Sequence, residues 1–169
     1  PPRAQVMLDH MIRYLRATLS GSRATTHPLA DEFARLDDYL ALMAIRMGPR
    51  LGFTLDLPDA LREVTVPPLL LQPLVENAIR HGLEPRVEGG HITVRARADG
   101  AGLLLEVSDT GAGFDPAAPA VGGGSRFGLE QVRERVASAY GGRGRVELTS
   151  APGHGTVIRV HLPAHGAER

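Results

Sequence analysis

The sequence predicts an α+β domain in which one sheet is covered on one face by helices. Two patterns carry that expectation. Helical periodicity and strand alternation fall in the order α, α, β, α, β-β, loop, α, β-β, so strands arrive as hairpins and not as βαβ units. Within those strands apolar and polar residues alternate, as expected for a sheet packed on one side and wet on the other.

A helix is expected over 4–19, with Ala4, Leu8, Met11, Ile12, Leu15 and Leu19 on one face and Gly21-Ser22 at its end. That stripe has no obvious local partner. Residues 20–28 read as a hinge or linker. The second helix spans about 29–47, where Leu29, Phe33, Leu36, Leu40, Met43 and Met47 form one seam for a core. Gly48-Pro49 closes it, and Leu51–Leu57 follows as a strand. Pro67-Pro68 is expected to open a third helix running to His81, buried through Leu71, Leu74, Val75, Ala78 and Ile79 and stopped by Gly82. His91–Ala98 and Leu103–Asp109 make a hairpin around Asp99-Gly100. Residues 110–127 are small and glycine-rich, and read as a mobile functional loop. A helix from Gly128 to Tyr140 and the strands Arg145–Ser150 and Thr156–Leu162 complete the chain.

The 169 residues suffice for one domain with a real core. With 19 basic and 19 acidic residues the net charge is zero, so no nucleic-acid partner is expected. The lack of Cys excludes disulfides, Cys-based metal sites and thiol nucleophiles. Every basic residue is Arg; without Lys there is no P-loop, no kinase of the Ser/Thr/Tyr type and no Schiff base. No apolar run reaches the ~18 residues that span a bilayer, and no signal peptide is read. The chain begins Pro1-Pro2 without Met, and is expected to be part of a longer protein.

Four places offer chemistry. On the third helix Asn77 and His81 are i,i+4, as are Glu76 and Arg80, and the four are expected to project together. Asn is a neutral oxygen ligand for Mg²⁺, and Arg and His meet phosphate oxygens. The plain alternative is a solvated helix face. Asp109-Thr110-Gly111-Ala112-Gly113 ends a strand: the carboxylate can accept from an exocyclic amine, and the glycines allow close backbone approach. Its alternative is an ordinary tight turn. Gly122-Gly123-Gly124 with Gly128 leads into a helix N-terminus, a place for an anion or merely a flexible linker. Gly153-His154-Gly155-Thr156 is a hairpin turn whose Thr hydroxyl can close a pocket.

In this order and spacing the four motifs resemble the GHKL nucleotide-binding family of histidine kinases, type II topoisomerases, heat-shock chaperones and mismatch-repair ATPases. Leu71-Gln72-Pro73-Leu74-Val75-Glu76-Asn77-Ala78-Ile79-Arg80-His81-Gly82 is similar to the N-box of LytS-type sensor histidine kinases, and the likeness extends over about 7–163. The resemblance implies a two-layer α/β sandwich (the Bergerat fold) with a mixed, mostly antiparallel sheet. It implies residues 1–25 as a remnant of a dimerisation hairpin and linker, and 26–169 as the ATP-binding domain. By the same likeness Asn77 holds Mg²⁺, and Arg80 and His81 face the phosphates of ATP. Asp109 reads the adenine amine, Gly111 and Gly113 shape the pocket, and Thr156 lines the adenine side. Residues 112–127 are the lid, with Gly124, Phe127, Gly128 and Leu129 at the nucleotide. The implied partners are the dimerisation and phosphoacceptor domain of the same protein and a response regulator, in a two-component system anchored at a bacterial inner membrane.

Two departures stand out. Arg126 occupies the middle glycine position of the family's Gly-x-Gly-x-Gly-Leu lid ending, so a degenerate module without turnover is one alternative. The phosphoacceptor motif is absent; His10 reads as an ordinary polar-face histidine, and no autophosphorylation is expected of this chain alone. A clamp-type ATPase carries a Glu one helical turn before its Mg-binding Asn. Here that position is Pro73, which disfavours hydrolysis. A serine kinase of the anti-sigma type shares the pocket but has no need of the apolar stripe on 4–19.

Overall fold

The computed structural model describes residues 2–20, 26–119 and 127–163. Among the described residues the α-helices are α1 (Pro2–Ser20), α2 (Leu29–Met47), α3 (Gln72–Asn77) and α4 (Phe127–Tyr140). The strands among the described residues are β1 (His27–Pro28), β2 (Leu51–Asp56), β3 (Thr65–Val66), β4 (Gly90–Asp99), β5 (Gly102–Asp109), β6 (Arg145–Ser150) and β7 (Thr156–Leu162). β2, β4, β5, β7 and β6 form a mixed sheet in that order; β2 runs parallel to β4 and the other pairs are antiparallel. β1 and β3 form a separate two-residue antiparallel pair that the sequence did not announce.

Alternation decides which face is covered. Ile92, Val94 and Ala96 of β4, Leu103, Leu105 and Val107 of β5, and Ile158, Val160 and Leu162 of β7 are all buried. The register aligns them in rows across the sheet, for example Val94–Val107–Ile158. α2 contributes Leu29, Phe33, Leu36, Leu40 and Met47 to the same core, α3 Leu74 and Val75, and α4 Leu129, Val132, Val136 and Tyr140. The other sheet face carries ion pairs, such as Arg159 Nε to Glu106 Oε2 at 2.9 Å. This is the expected two-layer arrangement.

The third helix departs from expectation at both ends. It starts at Gln72 and not at Pro67-Pro68. A residue before proline is pushed out of the α region, and Leu69 takes a positive φ of 59°, so 67–71 turns before the helix begins. At its other end Ala78–Leu83 widens into a π turn, with Glu84 N–H donating to the Ile79 carbonyl at 2.8 Å. Such π turns occur often at functional sites.

α1 also behaves unlike a core helix. It packs on α2 by its polar side: His10 Nδ1 lies 3.2 Å from Asp38 Oδ1, and the Tyr14 hydroxyl donates to Glu76 Oε1 at 3.2 Å. Its apolar side faces out, with Leu8 50% and Leu15 52% exposed. Among the described residues no helix is long and apolar enough to cross a membrane.

Candidate functional site

A cleft opens between α3, the start of α4 and the β5–β7 end of the sheet. Leu74, Ala78, Val107, Leu129, Leu148 and Ile158 give it apolar walls, and Asn77, His81, Asp109 and Thr156 supply polar groups. An apolar cleft with a few directional polar atoms suits a small ligand with both apolar and hydrogen-bonding surface.

Asp109 is the cleft's buried acid. The alternation Leu103, Leu105, Val107 points the next inward position of β5 at the core, and that position is a carboxylate. The register sets it between Ile92 and Thr156. Its Oδ1 accepts the Gly111 N–H at 2.8 Å. Burial pushes its pKa above the ordinary 3.8, and the Gly111 amide opposes part of that rise. A buried carboxylate with one intramolecular donor has acceptor capacity left for a ligand.

The glycines around it are sterically required. A Cβ on Gly82 would lie 2.9 Å from Asp109 Oδ1, and one on Gly111 would lie 2.3 Å from the Gly82 carbonyl oxygen. Gly113 has φ 61°, and a Cβ there would meet the Ala151 carbonyl oxygen at 2.1 Å. Close approach permits a ladder: Ala112 N–H donates to the Gly82 carbonyl at 2.9 Å, and Gly153 N–H to the Ala112 carbonyl at 2.7 Å. Ser150 Oγ accepts from Phe114 N–H at 2.9 Å and lies 2.9 Å from Thr156 Oγ1. Residues 110–114, expected as the start of a mobile loop, are thus anchored. Arg86 adds a brace, donating from Nη1 to the Thr110 carbonyl at 2.8 Å.

The opposite wall is α3 and its π turn. Asn77 and His81 both line the cleft. His81 Nε2 is buried without a hydrogen-bond partner among the described residues, an orphaned donor or acceptor beside the cleft. Gly128 brings the start of α4 against this wall: a Cβ there would lie 2.7 Å from the Pro73 carbonyl oxygen and 3.2 Å from the Asn77 amide nitrogen.

The expected foursome on α3 is divided. Adjacent helical residues point about 100° apart, so the pairs 77/81 and 76/80 diverge. Glu76 turns to α1 and α3, accepting from Tyr14 and from Gln72 Nε2 at 3.2 Å. Arg80 is exposed and is absent from the cleft lining. It acts on Tyr39, whose phenol pKa is raised by burial first and then by Glu76, with Arg80 opposing. Asn77, His81, Asp109, Gly113, Leu129 and Thr156 come together as expected, and Gly111 and Gly128 adjoin them. Gly124, Arg126 and the rest of 120–126, with the side chain of Phe127, lie outside the described residues.

Two supporting residues escaped the sequence reading. Glu32 is buried within the α2 seam, and its i+3 offset from Leu29 was the available signal. Arg86 had none, because its contacts join segments distant in sequence.

The arrangement has the chemistry for a polar aromatic ligand: the buried acid has acceptor capacity left for an amine, and the orphaned His81 nitrogen and the Asn77 amide lie on the wall that the start of α4 approaches.

Comparison with known proteins agrees. Residues 68–166 match the family model of histidine kinase-, DNA gyrase B- and HSP90-like ATPases, and residues 1–51 match the histidine kinase model. The chain is 30% identical over 171 residues to the sensor protein LytS of Staphylococcus haemolyticus, covering 96% of the chain and 29% of that protein. It is 33% identical over 135 residues to the sensor histidine kinase BtsS of Escherichia coli, covering 80% of the chain and 23% of BtsS. The chain therefore spans less than a third of the length of these curated relatives. Among solved structures, the histidine kinase domain of the Erythrobacter litoralis EL346 blue-light activated kinase aligns with a TM-score of 0.62 at 20% identity, over 94% of this chain and 75% of that one. The chain belongs to the histidine kinase-, DNA gyrase B- and HSP90-like ATPase family, as an ATP-binding domain of the LytS type of sensor histidine kinase.

Proposed function

We propose that this domain binds MgATP in the cleft and presents its γ-phosphoryl group to a histidine on the phosphoacceptor segment of the parent protein. The observation that carries the reading is Asp109, a carboxylate at a core-facing strand position, framed by glycines no larger residue can replace. Asp109 accepts a hydrogen bond from the adenine amine, while Gly111, Gly113 and Thr156 bound the ring. Asn77 supplies the amide oxygen to Mg²⁺, and His81 meets the phosphates. Mg²⁺, when bound, neutralises phosphate charge. The chain's own contribution is to orient the nucleotide: the acceptor nitrogen forms the new N–P bond as the bond to the ADP oxygen breaks.

Clamp-type hydrolysis is disfavoured because Pro73 occupies the base position and Glu76 is turned to Tyr14. Residues 1–25 serve as the end of a dimerisation hairpin, and the outward apolar side of α1 supports that role. The phosphoryl group then passes to a response regulator. The domain works on the cytoplasmic side of a membrane-anchored bacterial sensor.

Calorimetric titration with a non-hydrolysable ATP analogue, with and without Mg²⁺, tests the reading. Binding strengthened by Mg²⁺ and lost in Asp109→Ala is expected. An absence of binding at millimolar nucleotide would favour the degenerate module, and restoring Gly at Arg126 would be the next step.

A further inference from the structure

The Glu32 carboxylate is 1% exposed, yet the cleft does not use it. Its Oε1 accepts the Leu71 N–H at 2.8 Å, and its Oε2 accepts the Leu69 N–H at 3.2 Å. Oε2 also accepts from His27 Nε2 at 2.6 Å. These contacts converge on the turn that launches α3. Leu69 sits at φ 59°, a conformation a bulky residue keeps only where its surroundings impose it. Leu71 is the residue before α3, and α3 has no capping side chain of its own at that position. Glu32, reaching over from α2, does that work. α4 reaches the same turn, Arg135 donating from Nη1 to the Pro68 carbonyl.

The other partner of the carboxylate matters as much. His27 opens the β1 strand directly after the linker, and β1 is pinned to β3 by the His27–Val66 register and by Leu29 N–H donating to Val64. The chain arriving from α1 therefore touches, through one side chain, the group that holds the start of the helix bearing Asn77 and His81.

We propose that Glu32 is a positioning residue for the nucleotide site: by gripping the Leu69 and Leu71 amides it sets where α3 begins, and so where Asn77 and His81 stand in the cleft, with His27 coupling that grip to the linker. The inference rests on the nucleotide reading above. It divides the site in two. Asp109 is placed by its register in β5 and makes no hydrogen bond to Glu32. Asn77 and His81 depend on it.

The test uses the whole chain with Glu32→Gln, which keeps size but puts a donor against an amide, and with His27→Ala. Thermal melting and three titrations are read: adenosine, the ATP analogue without Mg²⁺, and the analogue with Mg²⁺. Adenosine affinity should remain within about twofold of wild type, while the Mg²⁺ enhancement of analogue binding falls about tenfold in Glu32→Gln and by less in His27→Ala. The side-chain amide signals of Asn77 should shift in NMR spectra of both variants without ligand. Unchanged Asn77 signals with an unchanged Mg²⁺ enhancement would overturn the proposal. So would parallel losses of adenosine and analogue affinity, which mark general destabilisation. Failure of the nucleotide reading is recognised separately, because wild type itself would then not bind adenosine.

Discussion

The two walls of the cleft are built in different ways. The β5–β7 wall belongs to the sheet. Asp109 is fixed by strand register, its turn by Gly111, Arg86 and the 112–153 contact, and each glycine is pressed against backbone. The α3 wall is one and a half turns of α-helix that opens into a π turn, and it is steadied from outside by Glu32 and by the Tyr14–Gln72–Glu76 contacts. On the proposed function, the sheet wall would recognise the base rigidly and the α3 wall would place the phosphates adjustably.

The largest effect should come from breaking the rigid wall. Gly113→Ala puts a Cβ at φ 61° and 2.1 Å from a carbonyl oxygen, so a loss of at least about 2 kcal/mol is expected in chemical denaturation, with binding lost as well. Asp109→Asn, next in size, should separate binding from stability. Its amide oxygen can keep the Gly111 N–H, which leaves an NH2 donor facing the ligand amine; analogue binding weakens about 10- to 100-fold, while the melting temperature stays equal or higher because a buried charge is gone. The sign with pH follows from burial. A carboxyl whose pKa is raised above 3.8 binds its proton more tightly when folded. The stability it contributes is fully present below that ordinary value and is lost as pH rises through the raised one. Wild type without ligand should show this slope in melting experiments, and Asp109→Asn should not.

On the adjustable wall, Asn77→Ala should abolish the Mg²⁺ enhancement in titration while adenosine binding persists. Tyr14→Phe should have the smallest effect. It removes a hydroxyl bonded to Glu76 and Gln72, worth about 0.5–1.5 kcal/mol of stability, and leaves adenosine affinity untouched. A loss of adenosine binding in either variant would mean that the two walls act as one.

The same division explains what could be read from sequence. The rigid wall was legible in part: Asp109 stood out at a strand end before two glycines, but residues 110–114 read as mobile loop, because the Gly82, Ser150 and Gly153 contacts that anchor them are remote in sequence. The seam of α2 was legible from its periodicity. The α3 wall was half legible. Periodicity placed Asn77 and His81 on one side of the helix, but the expectation that Glu76 and Arg80 project together with them fails, because adjacent helical residues point about 100° apart. The turn at 67–71 read as a helix start because proline is at home there. What decides against it is long-range: Glu32 takes the amides of Leu69 and Leu71 from another helix, and Arg135 takes the Pro68 carbonyl from a third. Arg86 and the β1–β3 pair escaped for the same reason, their partners being remote in sequence.

The most direct measurement is calorimetric titration of a non-hydrolysable ATP analogue into wild type and Asp109→Asn, each with and without Mg²⁺. Binding in wild type that Mg²⁺ strengthens, and a variant that melts no lower but binds about 10- to 100-fold more weakly, is the predicted result. Equal affinity in the two proteins would contradict the assignment of Asp109 as the group that recognises the base.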